Sequence, residues 1–177
     1  AELALGTREG SSVRGGSLGG LHEGALADAA AVDKAIDAAV AHLERDPEAQ
    51  IATLAVPAAP EEFSRGDVVK VVRDRRGRAL YFSRAAIPAV RAGGTAMQPL
   101  KHVGLYAFRW AYLERFVKLG PSRLEQSEQL EQLRALEDGA AIQVAVGSWP
   151  VLGVDTPEDL ERAESWWSER VITRRGS

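Results

Sequence analysis

Three glutamates recur at every third residue in the run Leu124-Glu125-Gln126-Ser127-Glu128-Gln129-Leu130-Glu131. On a helix that spacing lies roughly along one face. Carboxylates accept paired hydrogen bonds from neighbouring hydroxyls, so Glu125, Glu128 and Glu131 could grip a sugar. The same run also reads as a solvated acidic face. Arg84 closes Tyr81-Phe82-Ser83-Arg84. Its planar fork of donors matches a carboxylate bidentately, although an arginine after a strand is also an ordinary surface residue. His102 and Tyr106 are four apart in His102-Val103-Gly104-Leu105-Tyr106, which puts them on one face of a strand. Gly104 between them leaves room for a ligand to reach the backbone; a core histidine beside a half-buried tyrosine is the alternative. Asp155 lies where Gly153-Val154-Asp155-Thr156-Pro157 opens a helix. Magnesium is usually held by one or two carboxylates together with substrate phosphates. An acid at a helix start is equally common as simple support for the helix dipole.

Other chemistries find less footing. No serine sits in a nucleophile elbow, and His22, His42 and His102 lack zinc-site spacing. Gly15-Gly16-Ser17-Leu18-Gly19-Gly20 has the composition of a phosphate loop, but such a loop needs a strand before it and a helix after it. The local pattern predicts no strand there. Trp110, Trp149, Trp166 and Trp167 read as core or interface anchors.

A chain of 177 residues with 45% apolar content is one domain with enough material for a core. Its formal net charge of -3 argues against nucleic acid as a partner. There is no cysteine, hence no disulfide framework and no thiolate metal site. No apolar run approaches the roughly 18 residues that would suggest a membrane span. A cytoplasmic domain is the expectation, since no signal peptide is recognisable.

The elements that must position these residues follow from periodicity. Residues 1 to 25 are Gly-rich, without a sustained apolar period, and are expected to be disordered or non-native; residues 26 to 177 form the domain. Val32, Ile36, Val40 and Leu43 mark one stripe of a helix capped by Asp28 and stopped at Asp46-Pro47. Ile51–Val56 reads as a buried strand. Val68–Arg73 and Arg78–Phe82 flank Asp74-Arg75-Arg76-Gly77 as a hairpin. The segment from Arg91 to Pro99 reads as a mobile loop. Leu100–Phe108 reads as a strand and Arg109–Lys118 as a helix. Ser122 and Glu125 form a capping-box signature for one helix running to Gly139. Ile142–Val146 is a strand, and Thr156-Pro157 starts a last helix. This order gives an α/β fold with a mixed sheet and a β-hairpin.

Three segments carry a family resemblance: Leu80-Tyr81-Phe82-Ser83-Arg84-Ala85-Ala86-Ile87-Pro88, Leu124 through Arg134, and Gly153-Val154-Asp155-Thr156-Pro157-Glu158-Asp159-Leu160. Together they closely resemble the 3-deoxy-manno-octulosonate (KDO) cytidylyltransferase, or CMP-KDO synthetase, family of lipopolysaccharide assembly. The resemblance runs from about Leu26 to Trp167 and covers the C-terminal part of that fold. It implies a partial nucleotide-diphospho-sugar-transferase-like, Rossmann-like sandwich. CTP and KDO would be the small-molecule partners and magnesium the cofactor. The region 68 to 108 would help build a homodimer. Carried over residue by residue, it places Arg84, His102, Tyr106, Glu125 and Glu128 at the sugar and Asp155 on the metal.

This sequence also departs from the family. The Gly- and Arg-rich CTP loop is absent, and the family's Gly-Asp-Glu-Pro motif is replaced by His22-Glu23-Gly24-Ala25-Leu26, with Glu23 the only acid there. The abrupt start at Leu26 points to a truncated or frame-shifted gene. The chain by itself is expected to show no cytidylyltransferase turnover. A non-catalytic remnant or dimerisation module, and a cytidylyltransferase for another acidic sugar, stand as alternatives.

Overall fold

The computed structural model describes residues 3–7 and 29–149. Eleven elements follow one another: β1 Leu3–Thr7, α1 Ala29–Arg45, β2 Ala49–Pro57, a 3-10 turn Pro60–Glu62, β3 Lys70–Arg73, β4 Ala79–Ser83, β5 Leu100–Arg109, α2 Trp110–Phe116, α3 Arg123–Glu128, α4 Gln132–Glu137 and β6 Ala141–Val146. The sheet order is β4-β3-β5-β2-β6, with β1 paired to β5. β2 and β6 run parallel, while the β1–β5, β2–β5, β3–β4 and β3–β5 pairs are antiparallel.

The hairpin forms as its turn residues dictate. Gly77 has φ +85°, and the Asp74 side chain accepts from the backbone N–H groups of Arg76 and Arg78 at 2.8 Å each. Its tip folds back onto the far edge of the sheet. Arg78 bridges to Gln143, and Val144 N donates to Gly77 O at 2.9 Å. The sheet therefore curls, and the curl is tied by Arg78, which holds Asp46 through two hydrogen bonds of 2.6 and 2.7 Å. Arg109 closes the neighbouring junction by donating to the carbonyls of Leu43, Asp46 and Ala49.

Two apolar layers sandwich the sheet. On one side Ala35, Ala39 and Leu43 of α1 bury against Ala52, Leu54, Val103, Leu105 and Ala107, with Trp149 at the margin. On the other, Tyr112 and Phe116 of α2, Leu130, and Leu133 and Ala135 of α4 cover Ile51, Ala55, Val71, Phe82, Ile142 and Val144. The α1 contact keeps Leu43 of the expected stripe but is otherwise centred on Ala35 and Ala39, one residue away from Ile36 and Val40. Ile36 and Val40 are only partly buried, because alanines on helix and sheet let the two backbones approach closely.

One expectation fails here. The single helix expected from Ser122 to Gly139 is two short helices. Gln129 takes a left-handed conformation, φ 54° and ψ 48°, and ends α3. The break lets Glu128 reach back to the β4 strand end while Leu130 is buried in the core. Leu3–Thr7, within the Gly-rich N-terminal segment, forms β1. Its order comes from the β5 edge it pairs with, a tertiary influence that local composition does not encode. Asp28, Asp155, Thr156, Trp166 and Trp167 lie outside the described residues.

Candidate functional site

β5 alternates strictly. Val103, Leu105 and Ala107 face α1, so His102, Gly104, Tyr106 and Phe108 face the opposite layer. The pairing with β2 jumps between Thr53↔Tyr106 and Leu54↔Val103, leaving Gly104 and Leu105 as a two-residue bulge that preserves the alternation. The buried Thr53 hydroxyl fills the bulge. It lies 3.1 Å from Val103 O, 2.8 Å from Leu105 O and 2.9 Å from His102 Nε2. A hydroxyl has one proton to give. With that proton directed to a carbonyl, the hydroxyl is left to accept from His102 Nε2.

The rings then form a ladder. Phe82 meets His102 edge-on at 4.9 Å between centroids; His102–Tyr106 follows at 5.4 Å, Tyr106–Phe108 at 6.2 Å and Phe108–Phe116 at 5.6 Å. Arg134 sits 4.9 Å over the Phe116 ring and ion-pairs with Glu125. Gly104 is exposed within this face, and a Cβ there would meet nothing within 4 Å.

At the end of β4 a second cluster forms. The Ser83 hydroxyl donates to Glu128 Oε1 at 2.6 Å, and Arg84 N donates to Glu128 Oε2 at 2.9 Å. Arg84 Nε donates to the Glu128 carbonyl at 2.9 Å, Nη1 to Gly66 O at 3.2 Å and Nη2 to Gln129 O at 3.5 Å. Arg84 and Glu128 are thus direct partners, and Glu128 belongs to a built cluster rather than to a solvated face. Glu125 fills two local roles. It closes the capping box by accepting from Ser122 N at 3.0 Å, and it takes Arg134 Nε at 2.8 Å. The Arg134 guanidinium holds the Glu125 carboxyl below its ordinary range. Glu131 stays exposed at the helix surface.

The five described candidates therefore share one side of the sheet. Arg84 contacts Glu128, His102 contacts Tyr106, and Glu125 joins them through Arg134 and the ladder. A shallow hollow of about 310 Å³ beside α3 is lined by Pro121, Glu125, Gln126, Gln129 and Glu131. Of the five candidates only Glu125 lines it. Among the described residues no group of three or more His, Asp or Glu side chains is placed to hold a metal ion.

Sequence reasoning missed Lys70, Ser83, Thr53 and Arg134. Arg134 could have been found as the residue nine beyond Glu125 in a leucine-rich helical run. Lys70 was signalled by its position inside Val68-Val69-Lys70-Val71-Val72, where a charged residue interrupts an otherwise apolar strand.

Comparison with known proteins gives this arrangement its class. A cytidylyltransferase family model matches residues 27–142, and the chain belongs to that family. Its α/β sheet is the nucleotide-sugar-transferase fold. Among relatives, the 3-deoxy-manno-octulosonate cytidylyltransferase of Anaeromyxobacter sp. (strain Fw109-5) is 57% identical over 116 residues, covering 66% of this chain and 48% of that one. The enzyme of the same name from Acidobacterium capsulatum is 50% identical over 124 residues, covering 70% of this chain and 51% of the other. A solved structure of CMP:2-keto-3-deoxy-manno-octonic acid synthetase complexed with CTP superposes with a TM-score of 0.70 at 36% identity, over 77% of this chain and 56% of that one. The chain spans about half the length of the relatives it matches. No helix among the described residues is long and apolar enough to cross a membrane.

Proposed function

We propose that this chain carries the sugar-binding part of a 3-deoxy-manno-octulosonate cytidylyltransferase. The reaction would be CTP plus KDO giving CMP-KDO and pyrophosphate. The observation that carries the reading is the Ser83–Arg84–Glu128 cluster beside the His102–Tyr106 face. Both lie inside the family-matched segment, and they bring a guanidinium, a carboxylate and an imidazole to one side of the sheet.

In this reaction the anomeric hydroxyl oxygen forms a bond to the α-phosphorus of CTP and gives up its proton to solvent. The bond from that phosphorus to the bridging oxygen breaks, and pyrophosphate leaves with the electron pair. No protein nucleophile is needed, so the work of these residues is positioning. Arg84 retains guanidinium protons for the sugar carboxylate, because three of its five N–H groups are used among the described residues. Gly104 leaves the backbone exposed for the sugar, beside the paired rings of His102 and Tyr106. Magnesium, with Asp155 among its ligands, would supply charge neutralisation at the phosphates. The cytoplasm and a homodimer built through residues 68 to 108 complete the proposal. Glu125 and Glu128 would equally suit another polyhydroxylated acidic sugar, so KDO rests on the relatives' name.

The chain's half-length match motivates the test. Pyrophosphate release is measured with CTP, KDO and magnesium, on the chain alone and on the chain fused behind the first half of a relative. We expect release only from the fusion, and its loss in Arg84→Met. Turnover by the chain alone would overturn the division of labour. Full turnover in the Arg84→Met fusion would overturn the assignment of the sugar site, and a silent fusion would favour a non-catalytic remnant.

A further inference from the structure

Lys70 heads the fully buried side chains by size among the described residues. A buried ammonium is costly unless every proton is satisfied, and a well-packed apolar side chain of similar volume is often as stable or better. Lys70 satisfies all three. Its Nζ donates to Arg65 O, Val68 O and Arg84 O, each at 2.6 Å. These carbonyls lie on two segments: the connection entering β3 and the end of β4. The second is the backbone of Arg84 itself. From the other side, the Arg84 guanidinium donates to Gly66 O in the same connection. Lys70 from within and Arg84 from without therefore clamp residues 65–68 to the β4 end. Burial pulls the Lys70 pKa down from its ordinary value, while the Asp67 and Glu128 carboxylates support its charged form.

We infer that Lys70 is the positioning residue of the acidic-sugar site, fixing through three backbone carbonyls the orientation in which Arg84 presents its remaining donors to a ligand carboxylate. This rests on the proposed sugar-binding reading for its ligand, but the clamp itself is a property of this chain. Removing the ammonium while keeping the volume, in Lys70→Met, leaves three carbonyls without donors and frees the 65–68 connection. Arg84 then loses the fixed backbone that aims it. A ligand that binds through Arg84 should lose affinity, while nucleotide contacts made elsewhere should not.

The test has two arms. In the 177-residue chain, NMR of the Arg84 Nε–H signal reads its exchange with water. We expect Lys70→Met to speed that exchange at least tenfold while the amide signals of α1 stay unchanged. In the fusion, steady-state kinetics should show KM for KDO raised about tenfold, with KM for CTP within twofold of the parent. Lys70→Gln, which keeps two donors without the charge, should fall between the two and carries the same readouts if Lys70→Met does not fold. Unchanged Arg84 exchange in a folded variant would overturn the clamp. Faster exchange with an unchanged KM for KDO would overturn its link to the sugar. A fusion without turnover would sink the sugar reading alone, leaving the exchange arm to decide the role of Lys70.

Discussion

The two sides of the sheet are built from different materials. Against α1 the contacts are chiefly alanine, leucine and valine, with Ala35, Ala39, Leu43, Ala52, Leu54 and Ala107 shut off from solvent; the buried Gln143, in register with Ala52, is a polar group on that side. Against α2, α3 and α4 the sheet presents Thr53, His102 and Tyr106, and the helices answer with Glu125, Glu128 and Arg134, while Ser83 at the β4 end reaches Glu128. The first side gains its stability from close approach and apolar area. The second accepts buried polar groups, each of which must find a partner. That difference separates holding the fold from presenting chemistry. Family membership alone would not have shown which side does which.

The largest expected effect comes from breaking the apolar side. Leu54→Ala should destabilise the chain by about 2–5 kcal/mol in a denaturant titration, because a fully buried leucine leaves a cavity between α1 and the sheet. In the fusion, KM for KDO should be unchanged once the variant is folded. A rise in that KM comparable with the polar-side variants would erase the contrast.

Glu128→Gln cuts the other way. It replaces a carboxylate that accepts from Ser83 Oγ and Arg84 N with an amide whose NH₂ opposes one of those donors. A stability loss of about 1–3 kcal/mol is expected, smaller than for Leu54→Ala, together with the clearer rise in KM for KDO. The reverse ranking in both readouts would contradict the assignment of roles.

Acid should probe the ion pairs. The Asp46, Asp67, Glu125 and Asp138 carboxyls are each held below their ordinary range, by Arg78, Arg65, Arg134 and Arg115 respectively. A depressed folded pKa gives stability that is fully present above the unfolded value, about pH 4. That stability is lost as pH falls through the folded value. Tm should therefore fall steeply below about pH 4, after a gentler decline below pH 6.5 from His42, whose pKa burial holds below its ordinary value. Arg134→Met should make the acid fall shallower by removing the Glu125 contribution. An equally steep fall in that variant would show that the Glu125 pair adds nothing.

Gly104→Ala is the gentlest probe. Open space surrounds the site of the added methyl, so stability should stay within about 0.5 kcal/mol. KM for KDO should nevertheless rise severalfold if the sugar lies against that backbone. An unchanged KM would move the ligand away from β5.

Much of this contrast was readable before the fold was known, because periodicity and turn chemistry are local. The Asp74–Gly77 hairpin, the β5 alternation that pairs His102 with Tyr106, and the Ser122–Glu125 capping box all formed as their spacing dictates. What escaped was set by partners distant in sequence. Nothing around Gln129 signals a left-handed residue; the turn is imposed by Glu128 reaching β4 and Leu130 reaching the core. The α1 stripe was right at Leu43 but one residue off before it, because the fit of alanine on alanine outweighed the larger Ile36 and Val40. β1 takes its hydrogen bonds from the β5 edge, which local composition does not encode. Lys70 drew no notice in the sequence, because the three carbonyls that hold it come from two segments that only the fold brings together.

The central claim is that the α2–α4 side of the sheet, and not the α1 side, meets the acidic sugar. A titration of the fusion with KDO, followed by backbone amide NMR, tests it most directly. We predict saturable shifts at Ser83, Arg84, Gly104 and Glu128, with the amides of Ala35, Ala39 and Leu43 unmoved. Saturable shifts along α1 with none at Arg84 or Gly104, or no saturable shift anywhere, would contradict it.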